Sequence, residues 1–342
     1  MAIATVKRTV AAPAALRERL IGMLADGKFH SGERLARSLG VSRTAVWKHL
    51  QSVGEFGLEL HKVPNRGYRL AQPIDLLSKT EISRRIPPRT RRKLRSLQVL
   101  LHTDSTNTRL LAVTDLPTGK ADVCIAEHQS AGRGRRGREW LAPFGGGICL
   151  SLSWSFPESP RQLSALSLAV GVALLRALES RGVRGVRLKW PNDVVVDGRK
   201  LGGILCELRA ETGGPAYVVV GVGLNARLTD AARRTIAEAG VQAVDLNEVS
   251  GKKRISRNSL AAAIIDQLSA ALEEFQRSGL KTFVNDWRDA DALHGAAVGV
   301  MVGETVHRGL ARGIDVDGGL MLETPGGLLR FISGEVSVRR EG

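Results

Sequence analysis

The first 72 residues carry a sequence of helix starts and stops that leaves little choice of fold. Ala14 to Ala25 sets Leu16, Leu20, Met23 and Leu24 on one helical stripe. Ser31 is placed to cap a second helix, Gly32 to Leu39, and Gly40 to end it. A serine oxygen accepts an orphan N–H at a helix start, and glycine tolerates the left-handed turn at its end. Gly40-Val41-Ser42 then leads to a third helix, Arg43 to Val53, with Ser42 as its cap. Val46, Leu50 and Val53 fall at i, i+4 and i+7 and face inward, which leaves Arg43, Thr44, Lys48 and Gln51 largely opposite. Strand-like runs at Leu58 to Val63 and Tyr68 to Leu70 flank Pro64-Asn65-Arg66-Gly67, an Asn-x-Gly turn that reads as a β-hairpin. Three helices and a hairpin make a winged helix-turn-helix over residues 1–72, whose third helix offers polar residues to base edges in the major groove. The expected DNA contacts are Ser42, Arg43, Thr44, Lys48, Gln51 and, in the hairpin, Arg66. Such a module can also bind protein; the basic exposed face favours DNA.

Charge supports that reading. The 342-residue chain has 50 Lys+Arg against 34 Asp+Glu, a formal +16. Residues 1–95 hold 20 basic and 7 acidic side chains, +13, and residues 96–342 hold 30 and 27, only +3. A basic segment of this size is the electrostatic footprint of a nucleic-acid binder. Residues 73–95 contain Pro87-Pro88 and the cluster Arg89, Arg91, Arg92, Lys93 and Arg95, and read as a solvated basic linker. With 43% hydrophobic residues the chain can build real cores, so a disordered protein is disfavoured. The longest apolar candidate, Leu163 to Leu175, is thirteen residues, below the ~18 that a membrane span requires. The first twenty residues lack a compact apolar core with a cleavage site, and Cys124, Cys149 and Cys206 form neither a disulfide framework nor a metal pattern. A cytoplasmic protein with no membrane partner is expected.

From Ser96 the pattern becomes apolar stretches separated by glycine turns, an α+β arrangement rather than a regular βαβ repeat. Four segments carry unusual chemistry. Gly132-Arg133-Gly134-Arg135-Arg136-Gly137-Arg138 combines a pliable backbone with forked cationic donors suited to phosphate or carboxylate oxygens. It lacks the Gly-Lys-Ser/Thr of a Walker loop, and a mobile basic loop is its plainer reading. Lys189-Trp190-Pro191-Asn192-Asp193 brackets a rigid corner with charge, though a structural turn would look similar. Gly198 to Leu205 sets Lys200 at the mouth of a strand whose glycines permit close approach of a ligand. Gly221-Val222-Gly223-Leu224-Asn225 superficially suggests a dinucleotide fingerprint, but the third glycine and acidic strand end are missing, which excludes a Rossmann site.

The order of these segments is more specific than any one of them. Ser105-Thr106-Asn107, Gln129 ahead of the GRGRRGR run, KWPND, RKLGGIL and GVGLN resemble biotin protein ligases over almost the whole chain. With a winged helix in front, the chain is similar to the bifunctional bacterial kind, both ligase and biotin operon repressor. The resemblance implies a multidomain α+β protein: the winged helix-turn-helix, the 73–95 linker, a ligase domain over 96–290 with a mixed sheet and helices, and an SH3-like C-terminal β-barrel over 291–342. It implies ATP with Mg²⁺, magnesium being carried by ATP and not by a protein metal site, and biotin as substrate. Biotinyl-5′-AMP forms first, and biotin then passes to a lysine of the biotin carboxyl carrier protein domain of acetyl-CoA carboxylase. Ser105, Thr106, Asn107 and Gln129 are assigned to the biotin ring system, and Gly132, Arg133, Gly134 and Arg135 to the loop that closes over biotin and nucleotide. Lys200 is assigned to the carboxylate or acyl-phosphate oxygen, with Gly203 and Asn225 completing the binding set. Arg135, Lys200, Asp193 and Lys189 are the catalytic candidates, Asp193 orienting or deprotonating the incoming lysine. The repressor role implies operator DNA and an adenylate-bound homodimer formed through the central sheet. One departure stands out: no tryptophan lies between Asn225 and Leu260 to stack on adenine, leaving Val241 or Val244 to cover it. A repressor without ligase activity and a lipoate ligase are the competing readings.

Overall fold

The computed structural model describes residues 13–51, 53–157, 163–210, 215–251, 255–332 and 336–340. The chain divides into two units, Met1–Leu76 and Leu77–Gly342. Residues 1–12, most of the stretch read as lacking a secretion leader, lie outside the described residues.

In the first unit α1 (Pro13–Leu24), α2 (Gly32–Leu39) and α3 (Arg43–Gln51) precede a hairpin of β1 (Leu60–Val63) and β2 (Gly67–Leu70). The caps form as expected. Ser31 Oγ accepts from the Arg34 N–H at 3.1 Å, and Gly40 closes α2 at φ 72°. Val46, Leu50 and Val53 are buried, as are Leu16, Leu20 and Leu24; Ile21 fills the place expected of Met23, which is half-buried. Gly67 (φ 100°) cannot be replaced simply, because a Cβ there would lie 2.1 Å from the His30 carbonyl oxygen. His30 pairs with Tyr68 and adds a short third strand to the wing.

The second unit begins with α4 (Lys79–Arg85) and α5 (Pro88–Arg91). Residues 77–95 are therefore not a solvated connector. Leu77, Ile82 and Ile86 enter the main core, and the basic side chains meet acids far along the chain. Arg89 reaches Asp266 at 3.1 Å, Lys93 pairs with Glu273, and Arg95 pairs with buried Asp122.

Then follow β3 (Leu94–Thr103), α6 (Thr106–Leu111), β4 (Ala121–Gln129), β5 (Gly147–Phe156), α7 (Leu166–Glu179), β6 (Arg187–Lys189), β7 (Asp193–Val196), β8 (Arg199–Ala210) and β9 (Ala216–Asn225). The strands form one seven-stranded mixed sheet in the order β3-β4-β5-β9-β8-β7-β6, with only β3–β4 parallel. The GVGLN run lies wholly inside β9 and makes no strand-to-helix phosphate turn. Helices α8 (Asp230–Glu238), α9 (Leu246–Ser250), α10 (Arg257–Ser278) and α11 (Val284–Asp289) follow. Side chains alternate between the two faces of a strand. One face of the sheet carries Leu150, Leu152, Trp154, Val218, Val220, Val222 and Ile204, which join α7 and α10 in the core. Helix α6 lies over the opposite face, where Leu110 joins Cys124, Val219 and Tyr217 in a second, smaller core.

The C-terminal strands β10 (Ala297–Val302), β11 (Thr305–Ile314), β12 (Leu320–Thr324), β13 (Gly327–Phe331) and β14 (Val336–Arg340) form an antiparallel sheet in the order β13-β12-β11-β10-β14. A bulge in β11 between Ala311 and Ile314 bends it, as an SH3-like sheet requires.

One buried ion pair ties β4, β5 and α10 to the start of the second unit. The Glu127 carboxylate accepts from Arg257 at 2.7 Å and from the Leu77 N–H at 2.5 Å, while Arg257 also donates to the Gly147 carbonyl. Both side chains are nearly sealed, at 0% and 6% exposure. Removing one partner of such a pair strands the other charge at a cost of about 3–5 kcal/mol. Arg257→Met is expected to lower the unfolding free energy of this unit by that amount in urea titration, whereas a loss under about 1 kcal/mol would show that Glu127 is held by its backbone donors alone.

Candidate active site and DNA-reading surface

Residues directly paired across a ladder point to the same side of the sheet. Asp193, Gly203, Gly223, Cys149 and Ala126 are so paired, one after another, from β7 across β8, β9 and β5 to β4. The next row reads Leu205, Gly221, Ser151 and Cys124. The floor is thus paved with glycine and small side chains between a charged end and a polar end. Burial pushes the Cys149 thiol up to about 12, so this sulfur is an inert part of the floor.

The charged end is formed by Lys200 and Asp193, whose Nζ and Oδ1 are 2.6 Å apart and each about a quarter exposed. The Lys200 ammonium lies over Gly203, where a Cβ would be 3.5 Å from Nζ. Arg135 approaches the same corner, with Nη1 3.4 Å from Asn192 Oδ1. Burial lowers the Arg135 pKa and the Asp193 carboxylate opposes that shift. An arginine so placed keeps its charge at neutral pH. Lys189 ends β6, paired through its backbone with Asp193, just before the cis Trp190–Pro191 peptide. Trp190 is fully buried and donates from Nε1 to the Gly318 carbonyl at 3.1 Å, so the rigid corner is pinned by the β11–β12 turn.

The polar end is built at the start of α6. Ser105 caps this helix, and Ser105, Thr106 and Asn107 are all buried. Gln129 Oε1 accepts from the Thr106 N–H at 2.8 Å and from its hydroxyl at 3.0 Å. Ser151 Oγ reaches Thr106 Oγ1 at 2.7 Å and Asn107 Oδ1 at 2.5 Å, and Asn107 Nδ2 donates to Glu207 at 2.7 Å. Gly221 lies directly beneath, since a Cβ there would be 2.3 Å from Asn107 Oδ1.

The Gly132–Arg138 run borders a cleft of about 690 Å³ with Leu205 and Glu207. Arg133 pairs with Glu207 at 2.9 Å, and Gly132 passes so close to the Trp140 carbonyl that a Cβ would be 2.3 Å away. Arg136 adopts φ 60°, a left-handed conformation within this turn. Asn225 does not face the cleft: its buried amide donates to the Lys200 and Val244 carbonyls and ties β9 to the strand mouth.

The third helix of the first unit presents Ser42, Arg43, Thr44, Lys48 and Gln51 on its exposed side. Ser42 Oγ accepts from the Ala45 N–H at 3.1 Å and so serves as the cap. Arg66 is exposed in the hairpin turn, its guanidinium 4.3 Å from the centre of the Phe29 ring.

The Bifunctional ligase/repressor BirA of Escherichia coli (strain K12) is 39% identical to this chain over 322 residues, 94% of this chain and 96% of that protein. The chain belongs to the family of bifunctional biotin protein ligases and repressors. The Biotin--[acetyl-CoA-carboxylase] ligase of Mycobacterium tuberculosis is 35% identical and covers 71% of this chain and 88% of its own length. The biotin protein ligase from Aquifex aeolicus in complex with biotin and ATP is 28% identical, with a TM-score of 0.59, covering 73% of this chain and 99% of its own. The biotin/lipoate A/B protein ligase family matches residues 99–225, an HTH domain residues 17–69, and the biotin protein ligase C-terminal domain residues 293–339. The protein is a biotin protein ligase with an N-terminal helix-turn-helix domain.

Two corrections and two additions follow for this ligase. Val244 is 0% exposed inside the main core, so it is not available to cover adenine; Val241 is only half-buried. Asn225 shapes the site through the backbone and does not line it. Ser151 and Trp140 are new. Ser151 is visible in sequence only as an alternating strand position. Trp140 lies with its indole over Gly223: a Cβ on Gly223 would be 2.4 Å from the ring, and Lys200 Nζ is 5.8 Å from its centroid. Its buried N–H meets no nitrogen or oxygen acceptor among the described residues. Gly223→Ala is therefore expected to expel this ring and shift tryptophan emission to longer wavelength. The shift should vanish in a Trp140→Phe background; its persistence there would assign it to another tryptophan.

Proposed function

We propose that the trough between Lys200 and the Thr106–Ser151–Gln129 cluster holds biotin, and that this ligase joins it to a protein in two steps. The supporting observation is the polarity across two adjacent rows: a cation over Gly203 at one end, a floor of glycine and small side chains between, and the buried donors and acceptors around Ser151 and Thr106 at the other. Biotin has the matching profile of carboxylate, aliphatic chain and polar ureido ring. MgATP is the second substrate, with magnesium escorting the triphosphate.

In the first step a biotin carboxylate oxygen attacks the α-phosphorus of MgATP. The acyl–phosphate bond forms, the α–β phosphoanhydride bond breaks, and pyrophosphate leaves. Two anions must meet, so the barrier falls mainly through positioned positive charge. Lys200 takes the carboxylate in place of its present partner Asp193, and Arg135 and Arg133 face the phosphate oxygens. The Gly132–Arg138 loop then shields a hydrolysable adenylate from water. In the second step the ε-amine of a carrier lysine attacks the acyl carbonyl, the amide forms, and AMP leaves. A lysine amine is mostly protonated at neutral pH, and Asp193, freed from Lys200, orients the amine and accepts its proton. Gly203 lets the acyl group approach the backbone, and Lys189 adds positive charge at the corner.

The carrier is the biotin carboxyl carrier protein domain of acetyl-CoA carboxylase, in line with the mycobacterial relative, a biotin--[acetyl-CoA-carboxylase] ligase. Biotinyl-5′-AMP acts as corepressor: the loaded chain pairs with a second copy through the central sheet, and the dimer binds operator DNA, as two-fold operators require.

The test incubates the chain with biotin, ATP, Mg²⁺ and a carrier domain and probes for biotinylated lysine; lipoylation without biotinylation would overturn the reading. Lys200→Met is expected to slow adenylate formation by roughly 10²–10³-fold, the scale of one lost charge-stabilising donor. Asp193→Asn should slow transfer from preformed adenylate in single-turnover measurements, and an unchanged transfer rate would remove Asp193 from the chemistry.

A further inference from the structure

The exposed face of α3 carries a residue that the charge pattern does not account for. Trp47 is 47% exposed, and among the described residues it is the sole aromatic side chain among the large hydrophobics left so open. Its orientation is fixed, because the same nine-residue helix is anchored by Val46 (1% exposed) and Leu50 (2%). Trp47 stands four residues after Arg43 and four before Gln51, with Thr44 and Lys48 beside that line. Residues four apart are neighbours on a helix surface. The indole therefore occupies the middle of the strip formed by the polar residues expected to face DNA. Neither Arg43 nor Lys48 has a carboxylate partner among the described residues, and Arg66 in the hairpin turn stacks on Phe29. An apolar ring framed by unpaired cations fits a surface that is anionic at its rims and apolar at one point inside.

Resting on the operator-DNA reading of this unit, we propose that Trp47 reads a thymine in the major groove through its 5-methyl group. Among the four bases only thymine offers an apolar group there, and apolar side chains recognise it by contact. Arg43 and Lys48 hold the flanking phosphates and supply affinity without sequence preference. Trp47 supplies the choice of base at its position.

The experiment uses the full chain with biotin and MgATP. Binding sequences are selected from a randomised duplex pool, and each thymine of the selected site is then replaced in turn by deoxyuridine, which removes the methyl and nothing else. One such replacement per half-site should weaken binding by about fourfold, the worth of one buried methyl-sized group. That penalty should disappear in Trp47→Ala and survive in Trp47→Phe. Lys48→Ala should weaken every sequence alike and leave the penalty intact. Equal sensitivity of wild type and Trp47→Ala at every thymine overturns the assignment while leaving DNA binding in place. A pool that yields no enriched sequence overturns the operator reading itself, and the role of Trp47 with it.

Discussion

The catalytic unit depends on a sheet whose two faces do opposite things. Along β5 and β9 the even-numbered positions from Ile148 to Trp154 and from Val218 to Leu224 are buried apolar residues packed with α7 and α10. The odd-numbered positions are Cys149, Ser151 and Ser153 on β5 and Val219, Gly221 and Gly223 on β9; Leu110 of α6 packs on Val219, and the Trp140 ring lies on Gly223. Because the side-chain period of a strand is two, a register slip of one residue would exchange these faces. The same alternation that secures the core thus keeps the trough open. Glycine weakens a strand by adding backbone entropy and no packing, so paired glycines at 203 and 223 are retained at a stability cost that the apolar face offsets.

Charge in this protein is divided between two uses. Residues 1–76 hold 12 basic and 6 acidic side chains, a net of +6, while residues 77–95 hold 8 and 1, a net of +7. More than half of the N-terminal excess thus sits in the unit that carries the ligase site. Much of it is matched there by Asp266, Glu273 and Asp122. Such pairs hold α5 and the chain after it against α10 and join β3 to β4, and they are withdrawn from any nucleic-acid surface. The counterion-release argument applies to the smaller charge around α3 and the hairpin.

What the sequence made legible was local. Caps at Ser31 and Gly40 and the Asn65–Gly67 turn depend on neighbours within a few positions, and the structure places them as expected. The motifs GRGRRGR, KWPND and RKLGGIL, separate in sequence, meet at one corner, where Arg135 reaches Asn192 and Lys200 pairs with Asp193. The misread segment was 73–95, where composition suggests a connector but the deciding partners lie some 175 residues away. Trp140 was missed for the same reason: nothing within its own segment announces that two glycines on distant strands leave room for a ring. Val244 looked available because aliphatic loops read alike until one of their residues is found in the core.

The far end of the chain belongs to the site for a geometric reason. Strand β6 has only three residues, too few to hold the Trp190–Pro191 corner by ladder bonds alone. The segment after α11 supplies the missing edge: the Leu188 N–H donates to Ala290 and the Ala292 N–H to Leu188, both at 2.8 Å. Gly318 completes the clamp from the β11–β12 turn, its carbonyl accepting from Trp190 while its φ of 85° and its contacts with Leu168, Ala165 and Leu280 leave no room for a side chain. Lys189 and Asp193 flank that fixed indole, and Asp193 in turn sets Lys200. A lysine held by an aspartate is a poised ligand for a different carboxylate, because exchanging one anion for another preserves the charge balance of the corner. Through Gly318 the C-terminal sheet thus helps to fix the corner that holds Asp193 against Lys200.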